Sequence, residues 1–344
     1  MKRILLTGGA GFIAHHTIRH LLQNTDWEIV SLDRLDYSGN LNRIADMMNE
    51  FDKETQKRVR IVYHDLRAEL NEMLCADLGD FDYIVHMAAS SHVDRSIEDP
   101  MCFVLDNVVA TCNILNFGRK QKNLERFIYF STDEVFGPAP KGVNYKERDR
   151  YNSTNPYSAT KAGGEELCVA FENTYDMPIY ITHTMNVFGE RQHPEKYIPM
   201  CIRKVRDNES ITVHSNPQKT KAGSRHYIHA KDVAEGVHFL MNSKIDFNDR
   251  SQDPMGVGKN FKFNLVGPEE IDNLTLAKTI ASVQGKELKY EMVDFHSQRP
   301  GHDLRYALDG SLLKNMGWEP SIKFTDRVAE VVNWSLNNPV WLEI

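Results

Sequence analysis

Arg3-Ile4-Leu5-Leu6-Thr7-Gly8-Gly9-Ala10-Gly11-Phe12-Ile13-Ala14 opens the chain with an apolar run, a glycine-rich turn and the start of a helical pattern. Arg3 to Leu6 reads as a short buried strand, and Phe12 to Leu22 places apolar residues at helical spacing. Between them Gly8, Gly11 and Ala14 stand where missing side chains let backbone amides approach a pyrophosphate at a helix N-terminus. The next apolar run, Glu28 to Leu32, ends at Asp33, a carboxylate placed to accept hydrogen bonds from ribose hydroxyls. Its charge would repel a 2'-phosphate, so NAD is expected rather than NADP, with Arg34 the neighbour that leaves room for the latter.

The alternation continues outward. Arg60 to Tyr63, Tyr83 to His86, Phe127 to Phe130 and Ile179 to Thr182 read as strands, while Met101 to Phe117 and Tyr157 to Tyr175 carry helical spacing. Strands alternating with helices predict an α/β fold, a Rossmann-type doubly wound parallel sheet covered by helices on both faces. Asp65 and Leu66 after the third strand, and Ala88 and Ala89 after the fourth, would then share one sheet edge, near adenine and the nicotinamide half respectively. After about Asn186 the texture changes to loops rich in Pro, Lys and Asn, such as His214 to Gly223 and residues 247–259. The expected division is an NAD-binding domain over 1–186, with a strand-then-helix segment at 226–243 rejoining it. Residues 187–225 and 244–344 form mainly a smaller C-terminal substrate-binding lobe.

The composition narrows the function classes. At 344 residues, 41% hydrophobic and 26% charged, the chain resembles an ordinary soluble globular protein. A net charge of -7 argues against a nucleic-acid partner, which needs a clustered basic face. The apolar start breaks at Thr7-Gly8-Gly9, unlike a signal peptide, and no later stretch reads as long and apolar enough to cross a membrane. Five scattered cysteines without CxxC spacing point to a reducing, cytoplasmic setting and to no metal site.

Two further motifs carry chemistry. Ser131-Thr132-Asp133-Glu134-Val135-Phe136-Gly137 puts adjacent carboxylates just after the Phe127 to Phe130 strand. Tyr157 and Lys161, in Pro156-Tyr157-Ser158-Ala159-Thr160-Lys161, share one helix face. A lysine ammonium beside a phenol favours the phenolate and would lower a pKa that starts near ~10. Together these residues suggest a site that both moves a hydride and removes water.

With Ser91-His92-Val93-Asp94-Arg95-Ser96 and Arg299-Pro300-Gly301-His302-Asp303, these motifs resemble the extended short-chain dehydrogenase/reductase family. The STDEVFG stretch is similar within it to the nucleotide-sugar 4,6-dehydratases, and the likeness runs from about Ile4 to Trp334. The resemblance implies a nucleoside diphosphate hexose, dTDP-glucose or UDP-glucose, oxidised at carbon 4 by NAD, dehydrated across carbons 5 and 6, and reduced at carbon 6. It implies Tyr157 as base toward the 4-hydroxyl, helped by Thr132 and Lys161, with Glu134 as base toward carbon 5 and Asp133 as acid toward the 6-hydroxyl. Phe12 and Ile13 would join Gly8, Gly11, Asp33, Asp65, Leu66, Ala88, Ala89, Tyr157 and Lys161 around the cofactor. Asn186, Glu195, Lys196, Arg225, Asn264, Arg299 and His302 match substrate-lobe positions, and the helices Met101 to Phe117 and Tyr157 to Tyr175 match the faces that pair family members as homodimers.

Departures from the family pattern are Ala14 in place of a glycine, His15-His16, Phe136, Ser90 and a longer, more basic Ser215 to Gly223 loop. The last two face the substrate side and leave the nucleotide base open. An epimerase or decarboxylase on the same scaffold is the rival enzyme, against which Asp133-Glu134 counts. A non-catalytic nucleotide sensor is the other alternative, against which Tyr157 and Lys161 count.

Overall fold

The computed structural model describes residues 1–243, 261–294 and 305–343. The expected loop 247–259, Arg299 and His302 lie outside the described residues. Twelve strands run in chain order among those described: β1 (Arg3–Thr7), β2 (Glu28–Asp33), β3 (Val59–Tyr63), β4 (Tyr83–His86), β5 (Arg126–Thr132), β6 (Ile179–Thr184), β7 (Asn186–Phe188), β8 (Ile211–Ser215), β9 (Ser224–His229), β10 (Phe261–Leu265), β11 (Glu270–Asp272) and β12 (Tyr290–Asp294).

Seven of them form one parallel sheet in the order β10-β6-β5-β4-β1-β2-β3. The buried patterns explain the arrangement. Strands covered on both faces lose the polar alternation of half-exposed ones, and β4, β5 and β6 are buried at every position. The chain order reverses between β1 and β4, and such a switch opens a crevice at the carboxyl ends of the strands. Gly8, Ala88, Ala89 and the end of β5 all fall there.

β10 belongs to the expected substrate-lobe range, yet it pairs with β6 from Phe261 opposite Tyr180 to Leu265 opposite Thr184. The 226–243 segment divides differently from the expectation. Its helix, Ala230–Asn242, packs on the helix Phe12–Asn24, whereas β9 joins β7 and β11 in a separate sheet. A further apolar cluster, built from Ile198, Ile202, Val213, Leu276, Ile280, Val328 and Val332, lies away from the parallel sheet.

The helix Pro100–Gly118 corrects one expectation, because it is long and apolar enough by length and composition to cross a membrane, at a mean hydropathy of 1.3. It is instead half buried in the fold, and a π-turn at Leu105–Val109 turns Asp106 and Asn107 inward. Asp106 accepts from Arg34, and the Asn107 amide donates to the Ser90 carbonyl at 3.0 Å and to Thr160 at 3.0 Å. Those polar bonds would be lost in a bilayer.

Candidate active site

The glycine turn is held from both sides. Gly8 has φ of 74°, and a Cβ there would come within 2.8 Å of the Ala88 amide nitrogen, so only glycine lets β1 and the β4 loop meet. The Gly8 amide donates to Leu32 and the Gly11 amide to Gly8, both at 2.8 Å. The helix Phe12–Asn24 then starts at Gly11 without a side-chain cap, which leaves its first amides to an anion. Asp33 braces this turn by accepting from the Ala10 amide at 3.0 Å and the Leu35 amide at 2.8 Å. Burial pushes its pKa up, and those two amides oppose the push.

Asp33 lines a cavity with Gly8, Gly11, Arg34, Asp36, Asp65, Leu66, Ala88, Ala89 and Asp106. Arg34, read from sequence as room for a 2'-phosphate, donates instead to Asp36 at 2.5 Å and to Asp106 at 2.8 Å. Its charge is already answered by carboxylates facing the same space.

An adjoining cavity shares Gly8 and Gly11 and adds Phe12, Ile13, Thr132, Asp133, Glu134, Tyr157, Lys161, Asn186, Glu195 and Lys196. β5 delivers the acid pair. Thr132 ends the strand in extended conformation, donates to Asp133 Oδ1 at 3.0 Å and accepts from the Glu134 amide at 3.3 Å. A single 3-10 turn, Asp133–Phe136, follows and stops at Gly137, where φ is 73° and a Cβ would strike the Asn152 carbonyl. Asp133 is buried, and loss of water pushes its pKa up to about 6, with the Arg225 cation pulling the other way.

Tyr157 and Lys161 come from the helix Pro156–Tyr175. Asn155 caps it by accepting from the Ser158 amide at 2.8 Å, Ser158 returns the bond as a capping box, and Pro156 presets the first turn. The expectation that Lys161 already lowers the tyrosine pKa is corrected: burial first, then the Glu134 charge, push the Tyr157 phenol well above its ordinary value. The Lys161 ammonium donates to the Phe130 carbonyl at 2.6 Å and lies 4.3 Å from the Tyr129 ring centre. Its own pKa is lowered to about 8 by burial, against the attraction of Glu165.

Two expected substrate contacts stand elsewhere. Asn264 is a buried β10 residue whose amide donates to the Tyr145 and Asp309 carbonyls at 3.1 and 3.0 Å, so it holds strands and loops together and does not line either cavity. Arg225 also stays off the cavity walls, donating to the Ser224 carbonyl at 2.7 Å and lying 4.7 Å from the Tyr306 ring centre, though its charge reaches Asp133. Tyr37, Arg43, Gln192 and His193 line the site without having been expected there. No spacing flags them, since each comes from a loop or a short helix folded in from elsewhere. Asn155 is different, because an Asn before Pro at a helix start was a visible cap signal.

Residues 5–331 match the family described as GDP-mannose 4,6 dehydratase. The chain belongs to this family. It is a nucleotide-sugar 4,6-dehydratase of the extended short-chain dehydrogenase/reductases, a hydro-lyase. Among its relatives, the low-salt glycan biosynthesis protein Agl12 of Haloferax volcanii is 36% identical over 97% of this chain and 99% of its own. A dTDP-glucose 4,6-dehydratase of Escherichia coli is 31% identical over 98% of this chain and 95% of its own. The crystal structure of DesIV, a dTDP-glucose 4,6-dehydratase from Streptomyces venezuelae with NAD bound, superposes with a TM-score of 0.83 at 31% identity, covering 99% of both chains.

Proposed function

We propose that this protein converts dTDP-glucose or UDP-glucose to the 4-keto-6-deoxy sugar. The observation that carries the reading is that Asp133, Glu134, Tyr157 and Lys161 line one cavity with the glycine turn, so proton and hydride transfers can share a substrate. The side-chain-free turn, the uncapped helix start and Asp33 fit NAD. Gly8, Gly11 and Asp33 would hold NAD, which would supply the hydride acceptor for carbon 4 and the hydride donor for carbon 6.

The residues divide the proton work. Tyr157 takes the 4-hydroxyl proton, with Thr132 bonded to the same oxygen. Burial keeps the Tyr157 phenol protonated, so Lys161 contributes by turning its ammonium from the Phe130 carbonyl toward the phenolate as it forms. The resulting ketone acidifies the carbon 5 hydrogen, which Glu134 removes. Asp133, its pKa raised by burial to about 6 and so closer to neutrality than an exposed carboxyl, gives the proton to the departing 6-hydroxyl. Each positioned transfer is worth roughly 10²–10⁴-fold. Asn186, Glu195 and Lys196 face the sugar nucleotide, Arg225 acts through its charge on Asp133, and Arg299 and His302, outside the described residues, are left to answer the diphosphate.

Five cysteines without a disulfide support a cytoplasmic setting, and exposed Met101, Val104 and Leu105 support a homodimer through the helix Pro100–Gly118. Purified protein with saturating NAD is offered dTDP-glucose and UDP-glucose, and mass spectrometry follows the loss of one water. A product that has lost water and carries a 4-keto group supports the reading. If neither sugar, nor any other nucleoside diphosphate hexose, loses water, the assignment fails.

A further inference from the structure

Glu165 lies one helical turn beyond Lys161, is fully buried, and has no part in the reaction described above. Its carboxylate is surrounded. The Ser131 hydroxyl donates to Oε1 and the Tyr151 hydroxyl to Oε2, while Lys262 Nζ donates to Oε2 at 3.3 Å and His183 Nε2 stands 3.3 Å from it. His183 is oriented by its other nitrogen. Nδ1 donates to Asn264 Oδ1 at 3.0 Å, because the Asn264 amide is already committed to two carbonyls. Phe136, at the end of the catalytic turn, packs on His183 with ring centres 4.8 Å apart.

A carboxylate without solvent is retained only where its charge is answered and its lone pairs are filled. Here the partners come from β5, β6, β10 and the segment preceding the helix. Two of the groups it governs belong to the site, since Ser131 directly precedes Thr132 and Lys161 shares the helix. We propose that Glu165 is a positioning residue, whose carboxylate fixes the end of β5 through Ser131 and sets a negative charge one helical turn from the Lys161 ammonium.

The electrostatics agree with that geometry. Lys161 faces Glu165 and Cys168 on its own helix, the Tyr129 ring and Phe130 carbonyl from β5, and the buried His86 from β4. Of these, Glu165 is the main charge that favours the ammonium. Burial pushes the Glu165 pKa up, but His183, Lys262 and the Ser131 hydroxyl outweigh it and hold the carboxylate ionised, with its pKa lowered to about 2. A filler of a packing gap would have no reason to carry this charge.

The role rests on the dehydratase reading, and the experiment separates the two. Wild-type protein that produces no dehydrated sugar overturns the reaction. With wild-type activity in hand, kcat is measured against pH for Glu165→Gln and Glu165→Asp. Activity that needs the Lys161 ammonium is lost as pH rises through the lysine pKa, and deleting its neighbouring anion lowers that pKa. Glu165→Gln therefore moves the alkaline limb down by about one pH unit, a loss of about tenfold at a fixed alkaline pH, with KM little changed. Glu165→Asp keeps the charge at a greater distance and moves the limb the same way by less. An alkaline limb at the wild-type pH in Glu165→Gln overturns the proposal, whatever the variant's stability. If Glu165→Gln does not fold, an unmoved limb in Glu165→Asp overturns it.

Discussion

The Asn155 side-chain amide donates to Glu134 Oε2 at 3.1 Å, while its carbonyl oxygen accepts from the Ser158 amide at 2.8 Å. One side chain therefore caps the helix that carries Tyr157 and Lys161 and also touches the proposed carbon 5 base. Its two ends can be tested separately. Serine is a comparable helix cap but lacks an amide donor.

Asn155→Ser is expected to leave the melting temperature within a few degrees of wild type and to lower kcat roughly tenfold, the scale of one charge-assisted hydrogen bond. Because the bond is to the base, the deficit should sit in removal of the carbon 5 hydrogen. Substrate deuterated at carbon 5 should then show a larger kinetic isotope effect in the variant than in wild type. An unchanged kcat and isotope effect would mean that the amide only closes the turn.

Tyr157→Phe and Glu134→Gln should fail at different steps. Without the phenol, oxidation at carbon 4 falls by roughly 10²–10⁴-fold, and no 4-keto species builds up. With Glu134 neutralised, oxidation proceeds and elimination stalls, so quenched samples contain a 4-keto hexose that still has its 6-oxygen. Mass spectrometry distinguishes the two, and it also reads whether deuterium from solvent enters carbon 5. Equal behaviour of both variants would show that one residue does both tasks.

Local features of the site were legible and distant ones were not, for a physical reason. The Gly8 to Ala14 turn, the acid pair after β5 and the Tyr157-Lys161 face each depend on neighbours within a few residues, so spacing alone places them. The bonds that tune them cross the chain: Arg34 reaches Asp106 over 72 positions and Lys262 reaches Glu165 over 97. No periodicity announces such a pairing. Tyr157 shows the consequence, since its spacing to Lys161 is as expected while burial and the Glu134 charge set a pKa in the opposite direction. Asn264 was misplaced for a related reason. β10 joins β6 by a parallel pairing that its own sequence does not encode, and that pairing turns Asn264 into the lattice of Tyr145, His183 and Asp309.

The helix Pro100–Gly118 leaves Met101 63% exposed, with Val104 and Leu105 beside it at 36% and 37%. Covering them in a homodimer would remove apolar surface from water at about 25 cal/mol per Å². Light scattering at micromolar concentration should return twice the mass of the 344-residue chain. Met101→Glu together with Leu105→Glu should shift the protein to monomer. A wild-type protein that is strictly monomeric removes the dimer from the reading.

Asp133→Asn should stabilise the protein as it inactivates it, with a sign that depends on pH. In the folded chain the Asp133 carboxyl titrates at about 6, above its ordinary value near 3.8, chiefly because it is buried. Between those two pH values the folded state binds the proton more tightly than the unfolded chain does, so stability falls as pH rises through the window. Above it the ionised carboxylate costs about 3 kcal/mol, at 1.36 kcal/mol for each pH unit of displacement. Asparagine carries no such charge at any pH. The melting temperature of Asp133→Asn should thus exceed that of wild type at pH 8, with the gap closing toward pH 4, where both side chains are neutral in the folded state. Activity should fall at every pH, because the variant has no proton to give to the departing 6-hydroxyl. A gap of equal size at pH 4 and pH 8 would assign the stability change to packing, and with it remove the reason for regarding Asp133 as the proton donor.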